Sequence, residues 1–415
     1  MSEVVKFTEE MKATHTILIP YMLPIHFEMI AQCLRKEGYK VELLKTSGRR
    51  IVDEGLRSVH NDTCYPALLV IGQMLDALKS GQYDPDKTAL MITQTGGGCR
   101  ASNYIFLLRK ALKQSGFPQV PVISVNTSNL ESNPGFKLTP NLIMHVLYAA
   151  MYGDALMCLA NQVKPYEINS QDTQKLLDKW CGEMVRQFDS TRFLHFKKNI
   201  KKMIQDFESI PVSGEKKIKV GIVGEIYMKY APIGNNYLED FLIREGMEPV
   251  LSGVMDFAMY CLKNNILDVG FYGFSTKTLL VNKTVLALLQ RYQKLMIKMI
   301  NQSRFEAPTP FAKLPAYAQG YISTGVKMGE GWLLTCEMLD LIDHGVKNIV
   351  CCQPFGCLPN HIVAKGMTRK IKDQYPDSNI VAIDYDPGAT EINQENRLKL
   401  MLSNARVNAQ RDEAK

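Results

Sequence analysis

Short apolar runs that alternate with helical stretches constrain this chain most. The runs TILIP at 16–20 and TALMIT at 88–93 are largely apolar, as expected for strands covered on both faces. Further strands are predicted at 39–44 and 120–125, and helices at 27–36, 65–79 and 102–115. Strands that alternate with helices in this way indicate a parallel sheet. We therefore predict a doubly wound, Rossmann-like α/β domain in this part of the chain.

The same alternation returns in the C-terminal half of the chain. Strands are predicted at 218–223, 248–251, 347–352 and 379–384, and helices at 236–245, 257–263, 276–302, 332–344 and from 393 to at least 402. Between the two halves, the pattern predicts helices at 141–160 and 172–204, then a linker at 211–217. In the first half, residues 47–61 are predicted to be a long loop.

These patterns divide the chain into five parts. We assign an N-terminal tail (1–15), a first α/β domain (16–139), a helical segment with a linker (140–215), a second α/β domain (216–402) and a C-terminal tail (403–415). The fold class is thus α/β, with two Rossmann-like doubly wound parallel-sheet domains and a helical segment between or around them.

Composition narrows the class of protein. The 415 residues are 46% hydrophobic and 22% charged, with a net charge of +7, which is typical of soluble globular proteins. We find no apolar run of membrane-spanning length and no hydrophobic signal core near the start, so we expect a cytoplasmic protein without a membrane partner. No platform of basic and aromatic residues suggests a nucleic acid partner.

Three of the ten cysteines share a local context. Cys64 lies where a predicted helix begins, Cys99 follows a predicted strand and three glycines, and Cys357 lies in a Pro/Gly loop after another strand. Ligands of open α/β sheets gather outside the carboxyl ends of the strands, so these thiols are expected to converge in a cleft between the domains. The helix start after Cys99 favours a thiolate there. Such sulfurs bind iron–sulfur clusters or zinc, but their spacing matches neither a ferredoxin run nor a zinc ribbon.

The remaining cysteines give weaker signals. Cys351 and Cys352 end a strand and face opposite sides, so Cys352 is a candidate additional ligand, with core packing as the alternative. Five others lie in helical patterns and are predicted to be core residues: Cys33, Cys158, Cys181, Cys261 and Cys336.

The cysteine motifs resemble those of a known family. NDTCYP at 61–66, GGGCRASNY at 96–104 and CCQPFGCLPNH at 351–361 resemble the 2-hydroxyacyl-CoA dehydratase and benzoyl-CoA reductase subunits. They are most similar to the branch associated with acyl-CoA dehydratase activator ATPases. GEIY at 224–227, GEGW at 329–332 and the stretch 384–400 are also family-like. The resemblance covers about residues 16–402.

This resemblance implies a cofactor and partners. Relatives hold a [4Fe-4S] cluster between two Rossmann-like domains, and the matching ligands here are Cys64, Cys99 and Cys357. They accept a low-potential electron from a dimeric ATP-hydrolysing activator and pass it to an acyl-CoA thioester, forming a ketyl radical. Related double-cubane proteins carry a sulfide-bridged [8Fe-9S] cluster and reduce small molecules. A homodimer or a heterodimer with a related subunit is expected. The chain lacks a GxxxxGK(S/T) motif, so it is predicted to be the electron acceptor and not the ATPase.

Residues beside Cys99 are candidates for cluster binding. Gly97 and Gly98 allow backbone N–H groups to approach an anionic cluster closely, although such a loop can also bind phosphate. Arg100 and Asn103 flank the cysteine, and Arg100 could donate to a sulfide or simply lie in solvent at the helix start.

Three further residues are candidate proton donors. Glu225 and Glu330 are acids beside glycines at predicted element ends, and His361 follows Cys357 closely. Charge at a helix N-terminus explains Glu330 as well, and His361 could be an ordinary first-turn histidine.

The sequence supports two hypotheses of different class. The leading one is an iron–sulfur redox protein, either a dehydratase-like lyase or an ATP-dependent reductase component. The alternative is a non-catalytic binding or regulatory protein of the same fold, with a structural metal such as zinc or a CoA-like ligand.

Overall fold

A computed structural model describes residues 4–60, 62–94, 98–126, 131, 133–273 and 278–413. The described chain contains two four-stranded sheets, and every strand pair in them is parallel. Helices flank both sheets. The predicted α/β class with two doubly wound parallel sheets is therefore confirmed.

The first sheet has the strand order β2-β1-β3-β4. Its strands are β1 (Thr16–Pro20), β2 (Lys40–Leu44), β3 (Thr88–Thr93) and β4 (Val122–Val125). The helices of this part are α1 (Glu9–Thr14), α2 (Pro24–Lys36), α3 (Arg49–Ser58), α4 (Tyr65–Lys79) and α5 (Tyr104–Gln114). The order of connections reverses between β1 and β3, which creates the crevice where open α/β sheets bind ligands.

The second sheet repeats this order as β6-β5-β7-β8. Its strands are β5 (Ile218–Gly224), β6 (Met247–Val250), β7 (Asn348–Pro354) and β8 (Asn379–Tyr385). Between the two sheets the chain forms α6 (Pro140–Asn161), α7 (Asp172–Phe188) and α8 (Phe196–Glu208). The remaining helices are α9 (Ile226–Tyr230), α10 (Leu238–Arg244), α11 (Val254–Tyr272), α12 (Leu279–Ile300), α13 (Gly331–Asp343), α14 (Leu358–Val363), α15 (Thr368–Gln374) and α16 (Glu391–Glu413).

Two predicted elements were wrong. The loop expected at 47–61 contains α3, which packs on α4 because Gly55 and Gly72 let the two backbones touch. The single helix expected at 172–204 is two helices, α7 and α8. A 3-10 turn separates them, and the side chain of Ser190 accepts a hydrogen bond from the backbone N–H of Arg192 there. In addition, α1 and α16 extend helical structure into the segments assigned as tails.

Helix α6 is the one described helix that is long and apolar enough to cross a membrane. Of its most apolar 18-residue window, 67% is buried inside the fold. Its side chains share an apolar cluster with α7, α8, α11 and α12. The helix is therefore packed as a core helix.

A second apolar cluster joins the two α/β domains. It includes Leu18 and Leu90 from the first sheet and Val220, Val350 and Tyr385 from the second. Burial of apolar side chains from both domains in one cluster holds them together. The loops at the carboxyl ends of β3 and β7 are thereby placed where they can meet.

Candidate functional site

Each of the three motif cysteines lies at the start of a helical segment. Cys64 precedes α4, Cys99 precedes the 3-10 turn Arg100–Asn103, and Cys357 precedes α14. All three have extended backbone conformations at these caps. The first N–H groups of a helix have no partner within it, so each loop presents backbone donors and positive potential close to its thiol.

The loops that carry Cys64 and Cys357 are in direct backbone contact. The N–H of Tyr65 donates to the carbonyl oxygen of Phe355 at 2.9 Å. Gly356 has a φ of +72°, and a Cβ there would lie 3.1 Å from the Cα of Cys64. Only glycine adopts this φ without strain and allows so close an approach. The loop at 355–357 in the second domain therefore packs against the start of α4 in the first domain.

The loop of Cys99 joins the same region. Arg100 donates to the backbone carbonyl of Asp62, two residues before Cys64. On the other side, a Cβ at Gly98 would overlap the sulfur of Met328, which lies two residues before Glu330. The three loops therefore meet, as the sequence predicted from the parallel-sheet topology.

The Cys64 thiol interacts electrostatically with the thiols of Cys99 and Cys357, and nearby carboxyl groups act on all three. Burial raises the pKa of Cys64, of Cys99 (to about 12) and of Cys357 above the usual thiol value. Glu225 raises the pKa of all three further, and Glu330 raises the pKa of Cys99 and Cys357. Burial thus outweighs the helix start and favours the protonated thiol at Cys99, in place of the predicted thiolate.

Glu225 and Glu330 are held side by side. Glu225 caps α9 and accepts from the N–H of Met228 at 2.9 Å, while Glu330 accepts from the N–H of Ile226 at 2.9 Å. Burial, followed by the charge of Glu330, raises the pKa of Glu225 to about 8. Burial also raises the pKa of Glu330. Because two buried carboxylates repel each other, the pair retains a proton at neutral pH.

Sequence reasoning assigned no role to Tyr104, although it is part of the GGGCRASNY motif. Its hydroxyl oxygen lies 2.7 Å from the Sγ atom of Cys64. Burial and Cys64 raise the pKa of this phenol well above its usual value, so it keeps its proton and can donate it to the sulfur. No sequence signal marks this contact, because it depends on how α5 lies against α4.

Other predicted site residues are less closely involved. The side chains of Arg100, Asn103 and His361 are exposed, and His361 pairs with Gln353. Gly98 is an exposed loop residue, and Gly97 lies outside the described residues. These positions leave Gly98 and Arg100 beside the cysteines and place His361 at the surface of α14.

The other cysteines differ in burial. Cys352 is buried in the apolar cluster that joins the domains, whereas Cys351 belongs to a separate cluster, as their opposite directions on β7 predicted. Cys33 and Cys336 are buried and Cys158 and Cys181 are half-buried. Cys261 is exposed on α11, so its predicted place in the core was wrong.

No protein-family model matches the chain, and no curated protein matches it. Within the described part of the chain, no group of three or more His, Cys, Asp and Glu side chains is arranged to hold a single metal ion.

Proposed function

We propose that this chain is an iron–sulfur redox protein of the 2-hydroxyacyl-CoA dehydratase superfamily. In this proposal, Cys64, Cys99 and Cys357 bind the cluster. The observation that carries it is the meeting of the three cysteine loops, together with the electrostatic interaction of Cys64 with Cys99 and with Cys357 in a largely buried place. Sulfur donors at loop positions with nearby backbone N–H groups are the usual setting for such clusters.

The donor set fits an iron–sulfur cluster. Three sulfur atoms and an excess of buried acidic groups suit a cationic iron core that draws protons from the thiols as it binds. A [4Fe-4S] or [8Fe-9S] cluster would supply single-electron transfer when bound. Cys352 is buried behind this site among apolar side chains and, in our proposal, packs the core.

The chain's own residues have separate tasks in this proposal. Tyr104 donates its hydroxyl hydrogen to the Sγ atom of Cys64, which stabilises the thiolate. Glu225 holds a proton at neutral pH because burial and Glu330 raise its pKa to about 8, so it is suited to protonate a reduced substrate. Burial of Cys64 and Cys357 keeps water from the sulfurs.

The proposed partners follow from the resemblance and from the missing phosphate-binding motif. A separate ATP-hydrolysing activator would donate the electron, and the acceptor would be an acyl-CoA thioester or another small molecule. The chain would act in the cytoplasm as a homodimer or with a related subunit, without a nucleic acid or membrane partner.

The redox proposal is tested by electron paramagnetic resonance of the anaerobically reconstituted, dithionite-reduced full chain. We expect a spectrum of a reduced iron–sulfur cluster that is lost in Cys99→Ser. The matched control is Cys181→Ser, because Cys181 lies on α7 and interacts with Asp178 and Glu28 instead of the site residues, and it should keep the spectrum. A spectrum that is absent from the wild type, or unchanged in Cys99→Ser, would contradict the proposal. Bound zinc without iron or sulfide would favour the non-redox binding or regulatory alternative.

A further inference from the structure

Helices α8 and α12 lie side by side and run in the same direction. At the start of α8, the ring of Phe196 packs against the ring of Tyr292 in α12, with centroids 5.2 Å apart. At the end of α8, the guanidinium of Arg304, which follows α12, donates to the carbonyl oxygen of Phe207 at 3.4 Å. The two helices therefore stay next to each other along the whole of α8.

Both helices rest on α6. The ring of Tyr148 in α6 contacts the rings of Phe196 and Tyr292, with centroid distances of 6.4 Å and 5.6 Å. Its hydroxyl oxygen also lies 2.8 Å from the hydroxyl oxygen of Tyr292. Because both helices turn their apolar sides toward α6, their opposite sides face outward together. We call this outward side the α8–α12 surface.

The α8–α12 surface is rich in unpaired cations. Six exposed basic residues lie on it: Lys197, Lys198 and Lys201 in α8, and Arg291, Lys294 and Lys298 in α12. Among the described residues, none of these six side chains has an ion-pair or hydrogen-bond partner. Lys202 is not counted with them, because its ammonium lies over the ring of Trp180 in α7, 5.8 Å from the centroid, and acts on Glu183.

The two helices supply few acidic groups of their own. Helix α12 contains no Asp or Glu, and α8 contains only Asp206 and Glu208, both near its end. Asp206 pairs with Lys179 at 2.9 Å, and Glu208 accepts from the backbone N–H of Arg304 at 3.4 Å. The carboxylates of α8 are therefore already engaged, and the six cations lack a counter-charge from their own helices.

This surface holds most of the net charge of the chain. The chain has 49 Lys and Arg against 42 Asp and Glu, which gives a net charge of +7, and six of the basic residues are these cations. Clustered cations of one sign create a positive potential that attracts an anionic partner over about 8–10 Å at physiological salt. The α8–α12 surface is therefore suited to bind an anionic molecule.

An exposed leucine accompanies the cations. Leu288 lies one turn before Tyr292 and shares its side of α12, which faces α8. Half of the Leu288 side chain is exposed (50%), whereas Leu289 beside it is buried. A partner that covers Leu288 as well as the cations would remove apolar area from water.

These features favour a protein partner over a nucleic acid or a membrane. Sites that bind single-stranded nucleic acid add exposed aromatic rings for stacking, but the rings of Phe196 and Tyr292 pack against each other and against Tyr148. A helix that lies on a membrane buries its apolar side in lipid, whereas the apolar sides of α8 and α12 belong to the core of the fold. Carboxylate side chains next to an apolar one match the surface that remains.

We propose that the α8–α12 surface binds an acidic segment of a partner protein, whose carboxylates pair with the six cations and whose apolar side chain covers Leu288. The inference does not rest on the proposed iron–sulfur function, because none of its residues belongs to the cysteine site.

Fluorescence anisotropy of the full chain with a labelled helical peptide of Glu, Leu and Ala tests this proposal. The comparison probes are the same peptide with Lys in place of Glu, labelled oligothymidylate, and phosphatidylserine vesicles followed by cosedimentation. We expect saturable binding of the acidic peptide that weakens as NaCl is added, because salt screens exposed charges. We expect each comparison probe to bind more weakly than the acidic peptide.

Charge reversal identifies the surface that binds the peptide. Lys197→Glu combined with Lys201→Glu should weaken binding of the acidic peptide by about tenfold or more, because two attractive contacts become repulsive. Arg291→Glu combined with Lys298→Glu should have the same effect from α12. Leu288→Ser should weaken binding by about threefold or more, because it removes the apolar contact.

The matched control is Lys110→Glu combined with Lys113→Glu, which reverses two exposed lysines of α5. It should bind the acidic peptide within about twofold of the wild type. If one double variant of the α8–α12 surface fails to fold, the other decides the result. The proposal is overturned if the wild type shows no saturable binding, if the α5 control loses as much affinity as the folded surface variants, or if Leu288→Ser binds like the wild type. Tighter binding of oligothymidylate or of the vesicles than of the acidic peptide would also overturn it.

Discussion

Replacing Gly356 by alanine is expected to loosen the junction between the loops of Cys64 and Cys357. Gly356 has a φ of +72°, a conformation that costs a residue with a Cβ about 1–2 kcal/mol. The new Cβ would also lie 3.1 Å from the Cα and 3.2 Å from the N of Cys64, and 3.3 Å from the carbonyl oxygen of Asp62. These are backbone atoms that cannot rotate away, so the crowding adds about 1–3 kcal/mol.

Gly116→Ala provides the matched control. Gly116 also has a positive φ, of +84°, but nothing lies within 4 Å of a Cβ built there. The control should therefore lose only the conformational part, about 1–2 kcal/mol of the free energy of unfolding. Urea denaturation followed by circular dichroism measures both variants, and anaerobic iron binding measures the effect on the cysteines.

We expect Gly356→Ala to be less stable than Gly116→Ala and to bind less iron after reconstitution. Equal stability of the two variants would show that crowding between the loops adds nothing to the loss in free energy of unfolding. Wild-type iron binding in a measurably destabilised Gly356→Ala would show that the junction does not position the cysteines.

Three further predictions concern buried polar groups. Burial raises the pKa of Asp256 well above its usual value, so the folded state binds a proton that the unfolded state releases, and wild-type stability falls as pH rises. Asp256→Asn removes this loss, so the Tm of the variant relative to that of the wild type should rise from about pH 5 to about pH 8. A difference in Tm that stays constant over this range would refute the prediction. Both carboxylate oxygens of Glu337 lie 3.1 Å from the ammonium of Lys229, so Lys229→Met leaves this carboxylate buried without its partner. The free energy of unfolding, measured by urea denaturation, should fall by about 3–5 kcal/mol, and adding Glu337→Leu should restore most of it. No restoration would contradict the ion-pair explanation. Gly153→Ala, which would usually stabilise a helix by about 1 kcal/mol, should instead lower the Tm because its Cβ overlaps the His26 ring; a raised Tm would exclude that overlap.

The strands were the easiest elements to predict from the sequence. Runs such as TALMIT are largely apolar because parallel strands are covered on both faces, and β3 has the predicted bounds. Helix α3 was missed because arginines and a glycine suggested a loop. The spacing of Ile51, Gly55 and Val59 is helical, however, and Gly55 lies at the contact with α4.

No Pro or Gly in the sequence marks the break between α7 and α8. The chain turns there because tertiary packing places Phe188, Phe193 and Phe196 in one cluster with His145 and Tyr148. Packing between distant residues overrides a continuous helical pattern in this case.

The cysteine loops could be predicted because strand topology fixes where loops meet, and the motifs marked which loops matter. The contact of Tyr104 with Cys64 could not be predicted, since it depends on how α5 lies against α4. The pairing of His26 with Asp154 joins residues 128 positions apart, and neither position carries a local motif. Such sites arise from packing, which sequence periodicity does not specify.

In the proposed function, Cys64, Cys99 and Cys357 from three loops bind one iron–sulfur cluster. The decisive measurement is of iron and acid-labile sulfide per chain after anaerobic reconstitution. We expect about four of each for a single cubane, or about twice as much iron for a double cubane, and a loss of both in Cys64→Ser, Cys99→Ser and Cys357→Ser. A chain that stays free of iron and sulfide, or that keeps its full content in all three variants, would contradict it.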